Sequence, residues 1–245
     1  MSADPGDIAP LATYSPGRTY ERSFDAAALA PAGMAVRSGN LIYIYPAPFS
    51  PSEPGHYMPA LSGLSDDGSA VRSTLSLNGT VIGRTDSPVG AGFPARVDSG
   101  RYTITELATR PASTWSLLGT RSTATWSFFS RNLPGAVALP LLTVRASGPF
   151  DSSDAARAGK PVPLSLQVQE IPNGATLTSL TLSASFDGGK TWQRVHLYRA
   201  ENRWLALVPS PPGNGDVSLR TSASDSAGDT ATATTINAYA ITPAT

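Results

Sequence analysis

Three observations predict an all-β protein, built as two tandem antiparallel β-sandwiches. The chain of 245 residues holds 22 Gly and 22 Pro with only 15% charged residues, a composition that disfavours long helices and suits short strands with frequent turns. Apolar residues recur at every second position over short runs, the period of a half-buried strand. Turn signals separate these runs at intervals of about 8 to 12 residues, the spacing of sandwich strands. The length is enough for two cores of ordinary size.

Residues 1–18 contain Pro5, Pro10 and Pro16 with little pattern and predict an irregular lead-in. A first sandwich is expected over residues 19–133. Tyr20, Arg22 and Phe24 alternate in a strand over Thr19 to Ala26, and NLIYIY (Asn40 to Tyr45) is a second strand, apolar on both faces and ended by Pro46. The Pro- and Gly-rich segment Ala47 to Ser69 reads as a long connection of the kind that can carry function. The run VRSTLSLNGTVIGRT predicts a hairpin: Val71, Leu75 and Leu77 share a face, and Asn78-Gly79 supplies a type I′ turn. Strands follow over Gly100 to Leu107, alternating Tyr102 and Ile104, and over Ser122 to Ser130, alternating Ala124, Trp126 and Phe128.

The junction is expected near Asn132-Leu133-Pro134-Gly135, with the second sandwich over residues 134–245. Its strands are Leu141 to Arg145, Val162 to Gln169, Leu177 to Phe186, Gln193 to Arg199, Trp204 to Val208, Val217 to Ala223 and Ala231 to Ile241. The hairpin tip between the third and fourth is the most specific local pattern, SFDGGKTW. Its spacing S-x-D-x-G-x-T-W over Ser185, Asp187, Gly189, Thr191 and Trp192 describes a self-bonded turn. Asp187 accepts hydrogen bonds from its own loop, Gly188 and Gly189 permit positive φ, Thr191 caps, and Trp192, on the opposite parity to the arm's inward residues, belongs to the turn or a bulge. Such a turn recurs once per blade in sialidase-type propellers, whereas this chain has a single copy.

Lys+Arg and Asp+Glu balance at 18 each, and no basic run offers a path for a phosphate backbone, so nucleic acid is not an expected partner. With no cysteine, disulfides and thiolate metal sites are excluded. No apolar run approaches the roughly 20 residues of a membrane helix. The N-terminal MSADPGDIAPLA lacks the basic and apolar regions of an export signal, so Met1 is expected to be a fragment start if the natural protein is secreted.

The ordered motifs STLSLNGTVIG, SGRYTITELATRP, STATWSFFS and ALPLLTVR, then LTVRASGPFD, SLTLSASFDGGKTW, RWLALVPSPPGNGDVSLRTSASDSAGDT and INAYAI, resemble the C-terminal accessory region of secreted actinobacterial subtilisin-like serine peptidases. The resemblance covers about Tyr57 to Ile241. It implies that the second sandwich is fibronectin- or immunoglobulin-like and that the chain is secreted. It further implies a tail that packs on or stabilises the peptidase domain of the same parent protein, or docks it to a protein substrate or the cell envelope. The family's peptidase domain carries its serine on a G-T-S-M-A-type stretch. None occurs here, so no catalytic residue carries over and the chain itself is expected not to be an enzyme and to need no cofactor.

Two other function classes remain open on the sequence. A hydrolase would need a histidine base, and there are only His56 and His196. His196 is expected on the solvent face of a strand; His56 lies in a Pro-Gly-His-Tyr-Met-Pro loop without a G-x-S-x-G elbow or zinc spacing. A polysaccharide-binding sandwich would expose aromatics. Of Trp115, Trp126, Trp192, Trp204, Tyr43, Tyr45, Tyr57, Tyr102, Tyr198 and Tyr239, most are expected inside, leaving Tyr45 and Tyr57 beside His56 as the surface site to look for. Calcium is the one metal with candidate ligands, at Asp66-Asp67-Gly68 and Asp225 to Asp229, although neither turn has an EF-hand ligand count.

Overall fold

The computed structural model describes residues 13, 15–19, 28–52, 70–95, 99–112, 117–172, 174–201 and 203–243. Among them every regular element is a strand. The first half contains β1 (Leu29–Ala30), β2 (Met34–Ser38), β3 (Leu41–Tyr45), β4 (Ser50–Pro51), β5 (Ala70–Leu77), β6 (Thr80–Thr85), β7 (Ala91–Pro94), β8 (Ser99–Thr109), β9 (Arg121–Arg131) and β10 (Ala136–Ala138). The second contains β11 (Thr143–Ser147), β12 (Ala155–Arg157), β13 (Val162–Gln169), β14 (Leu177–Ser185), β15 (Gln193–Val195), β16 (Leu197–Ala200), β17 (Arg203–Val208), β18 (Gly215–Asp225) and β19 (Thr230–Thr242).

Two four-stranded sheets, ordered β10-β2-β3-β7 and β11-β13-β17-β16, accompany one nine-stranded sheet ordered β15-β14-β18-β19-β9-β8-β5-β6, with β12 added in parallel to β19. The large sheet belongs to both halves of the chain. Its seam is β19 on β9, antiparallel and registered from Thr230↔Ser127 to Ile236↔Arg121. One core cluster runs from Ile42, Leu75 and Tyr102 through Trp126 and Leu142 to Leu164, Leu182 and Tyr239.

Alternation places the layers. In β8, Tyr102, Ile104, Glu106 and Ala108 are buried while the residues between them face outward; in β9, Ala124, Trp126 and Phe128 do the same. The first small sheet covers this buried face. Tyr102 donates its hydroxyl proton to Ala95 O at 2.5 Å, and Arg37 of β2 reaches Ser130 Oγ at 3.3 Å. Trp126 donates from Nε1 to Leu142 O at 3.0 Å, and a Cβ on Gly33 would stand 3.2 Å from its ring. The indole is thus pinned where the two halves of the chain meet.

The Asn78-Gly79 turn is present with φ of 48° and 85°, both in the left-handed region a type I′ turn requires. Several short strands, β1, β2, β4, β7, β10 and β12, lie where no strand was expected, and Ala136–Ala138 past the expected junction pairs with β2. Most of the strand expected over Thr19 to Ala26, and residues 53–69 of the long connection, lie outside the described residues. The strand expected over Gln193 to Arg199 is corrected. The chain leaves the large sheet after Val195, turns at the exposed His196, and joins the second small sheet at Leu197, so two short strands replace one. Val195 is buried and Leu197 packs at the core margin, which is what a crossing between layers demands of them.

Candidate functional site

The SFDGGKTW turn is built by its own side chains. Asp187 Oδ1 accepts from Lys190 N at 3.0 Å and Thr191 N at 2.9 Å, and Oδ2 accepts from Thr191 Oγ1 at 2.6 Å. Ser185 donates from Oγ to Asp187 Oδ1 at 2.7 Å and accepts from Gly189 N at 2.9 Å. The Thr191 hydroxyl and amide, then Ser185, hold the Asp187 carboxyl far below the usual carboxylate range. Gly188 and Gly189 have φ of 70° and 85°. A Cβ at Gly189 would also come within 2.6 Å of Ile236 Cδ1, so glycine is required there twice over. Trp192 donates from Nε1 to Gly189 O at 3.0 Å, and the Arg220 guanidinium lies 4.0 Å over its ring. The Ser185, Asp187 and Thr191 side chains are all spent within the turn, and its tryptophan is clamped to β18.

The second place of interest is the outer face of the sheet β11-β13-β17-β16. In β17, Ala206 and Val208 point into the core, yet Leu205 and Leu207 on the other parity are 39% and 56% exposed. Opposite them in register stand Ser165 and Pro163 of β13 and Tyr198 of β16. These residues with Ser147 and Gly148 line an open groove of about 460 Å³, and Tyr198, itself 56% exposed, forms one wall. The His196 ring meets the Tyr198 ring edge-on with centroids 4.5 Å apart, so this exposed histidine supports the groove wall. A solvent-facing leucine pair was legible in RWLALV, which is apolar on both parities; the expectation of a sandwich with one wet face hid it.

Of the surface site expected at Tyr45, His56 and Tyr57, the structure places only Tyr45, at the end of β3 and 39% exposed. His56 and Tyr57 lie outside the described residues, as do Asp66, Asp67 and Trp115. Trp126, Tyr102 and Tyr239 are core residues. The acidic turn Asp225 to Asp229 is buried at both carboxylates. Asp225 Oδ1 accepts from Ala227 N and Asp229 N at 3.0 and 2.9 Å, and Asp229 Oδ1 accepts from Phe129 N in β9 at 3.3 Å. Arg101 of β8 donates to Gly228 O at 2.9 Å. This turn therefore fastens the second half of the chain to the first. Burial raises the Asp229 pKa, only partly offset by the Phe129 amide.

No protein-family model matches this chain, and no curated protein matches it either.

Proposed function

We propose that the chain is a non-catalytic accessory region of a secreted, subtilase-like actinobacterial protein, which packs against the peptidase domain and stabilises it. The observation that carries this reading is the apolar outer face of β13, β17 and β16, where Pro163, Leu205, Leu207 and Tyr198 lie together in the solvent. Exposed apolar surface gathered in one place marks an interaction site more often than a solvated face. No cofactor enters this role.

We read the second half as an immunoglobulin-like sandwich, a fold suited to such a module, on the strength of its strand order. The second half has strands β11-β13-β17-β16 on one layer and β15-β14-β18-β19 on the other, the A-B-E-D and C′-C-F-G order of an immunoglobulin-like sandwich. The first half repeats it in reduced form, β2-β3-β7 against β6-β5-β8-β9. The Tyr102 hydroxyl bonded to Ala95 O has the position of a tyrosine corner.

The test is to purify the peptidase domain encoded with this chain and follow its survival at 37 °C with and without the chain. A longer half-life with the wild-type chain, lost with Leu205→Asp/Leu207→Asp, is the expected result. An unchanged half-life, or the absence of any encoded peptidase domain, overturns the reading.

A further inference from the structure

The outward face of the nine-stranded sheet carries a second, chemically different surface. Thr74, Thr105, Thr125, Thr232, Ser222 and Thr181 stand directly opposite one another in register on β5, β8, β9, β19, β18 and β14. This row of hydroxyls crosses six strands and passes through the seam between the two halves without a break. The flanking row from Ser76 to Ser179 is again only Ser and Thr, through Thr103, Ser127, Thr230 and Ser224. Strand spacing puts successive hydroxyl-bearing residues about 4.8 Å apart, so the central row is about 24 Å long.

Three features separate this face from an ordinary wet one. None of the six hydroxyls of the central row makes a hydrogen bond within the described structure, whereas part of the flanking rows is engaged: Thr178 with Ser224 at 2.9 Å, Arg220 on Thr234 at 3.3 Å, Arg101 on Ser127 at 3.3 Å. The rows contain no carboxylate; Arg72 pairs with Asp86, Arg101 with Gly228 O and Arg220 lies over Trp192, and the exposed Arg84 on β6 follows Thr74 at one end of the central row. Threonine is stiff at χ1, so these donors and acceptors are held at little entropic cost on binding. Phe129, 54% exposed and two residues beyond Ser127 on the same face of β9, adds an apolar platform at one margin.

A hydroxyl both donates and accepts, so an uncharged row of them complements a partner that is itself uncharged and densely hydroxylated. We propose that this face binds a single chain of an uncharged polysaccharide lying along the Thr74–Thr181 row. Sheet twist of roughly 20 to 25° per strand turns the row by about 100 to 125° from end to end, which a polymer chain can follow and a flat crystalline surface cannot. The site lies on the opposite layer from the Leu205–Leu207 groove, so it stands independently of the packing role.

Isothermal titration calorimetry at pH 7 with a mixed-linkage β-glucan, a galactomannan and a dextran, and with alginate as charged control, tests it. Binding to at least one uncharged polymer is expected. It should be at least tenfold weaker in Thr105→Val/Thr125→Val/Thr232→Val, which keeps shape and strand propensity, and undiminished in Leu205→Asp/Leu207→Asp. Should the triple variant fail to fold, Thr232→Lys at an exposed strand position carries the same expectation. No binding to any of the three, equal binding of alginate, or undiminished binding by the threonine variants overturns the proposal; so does inhibition of ice recrystallisation in place of polymer binding, because a solid lattice would then be the partner.

Discussion

Glu106 is the least expected residue of the fold. It points inward from β8, is 1% exposed, and among the described residues neither carboxyl oxygen has a hydrogen-bond partner, nor has the hydroxyl of Ser73 directly opposite. Burial alone pushes its pKa up to about 8. The folded value lies above the unfolded one, so the folded state keeps a proton that the unfolded state gives up. Stability is therefore greatest below the unfolded pKa near 4.5 and declines as pH rises towards 8, by a total on the order of a few kcal/mol. Urea denaturation at pH 5 and pH 8 should show that decline in the wild type and a much flatter profile in Glu106→Gln; equal slopes would mean that the carboxyl is hydrated or paired. Asp187 has the opposite sign. Its depressed pKa contributes stability at neutral pH that is lost only as pH falls below the ordinary carboxylate range. Asp187→Ala is expected to lower the melting temperature by a few degrees, and a neutral outcome would show that the turn closes without it. The sequence motif announced Asp187 because its partners lie within four residues; Glu106 shares the parity of Tyr102 and Ile104, so its inward position follows from the same alternation, but a carboxylate on that parity reads as a half-exposed strand end until the first small sheet is seen to cover it.

Among the elements, length decided what could be read in advance. β8, β9, β13, β14, β18 and β19 each present several turns of alternation, and each was expected within a few residues of where it lies. Two- and three-residue strands such as β1, β4, β10 and β12 carry no period at all, and are created by the sheet edges or partner strands they meet. The same limit hid the crossing at His196: QRVHLYR alternates smoothly, and only the competition between two layers for Val195 and Leu197 breaks it. Trp126 is the element-scale anchor, buried at 2% exposure and bonded to Leu142 O across to the second half of the chain. Trp126→Ala is expected to cost about 3 to 5 kcal/mol, read as a shift in the urea midpoint, whereas a cost under 1 kcal/mol would mean that the gap collapses. The groove of Leu205 and Leu207 was half visible, as two leucines on a parity reserved for polar residues; the tyrosine wall beside them was not, because it comes from a strand whose sheet had been misassigned.

For the whole molecule, the seam matters more than either half. Seven registered pairs join β19 to β9, and the Asp225–Asp229 turn reaches over to the Phe129 amide and to Arg101. Calorimetric unfolding is expected to give one transition for the intact chain, and two separated transitions would show that the halves melt alone. Arg101→Ala/Asp229→Asn should loosen the seam first, visible as faster amide exchange along β19 between Thr230 and Ile236. None of this joint was legible in the sequence, because residues about 100 positions apart meet there and each strand, taken singly, reads as a finished edge.

The direction of the seam has a mechanical consequence. β19 ends at Thr242, close to the chain's C-terminal end, and runs antiparallel to β9. A pull on that end along the strand, with the first half held in place, loads the ladder lengthwise. Its hydrogen bonds lie across the strands and must then yield together instead of opening one after another. The joint resists traction as a lap splice does, and a molecule held at one side and tugged at the other would keep its two halves aligned under load.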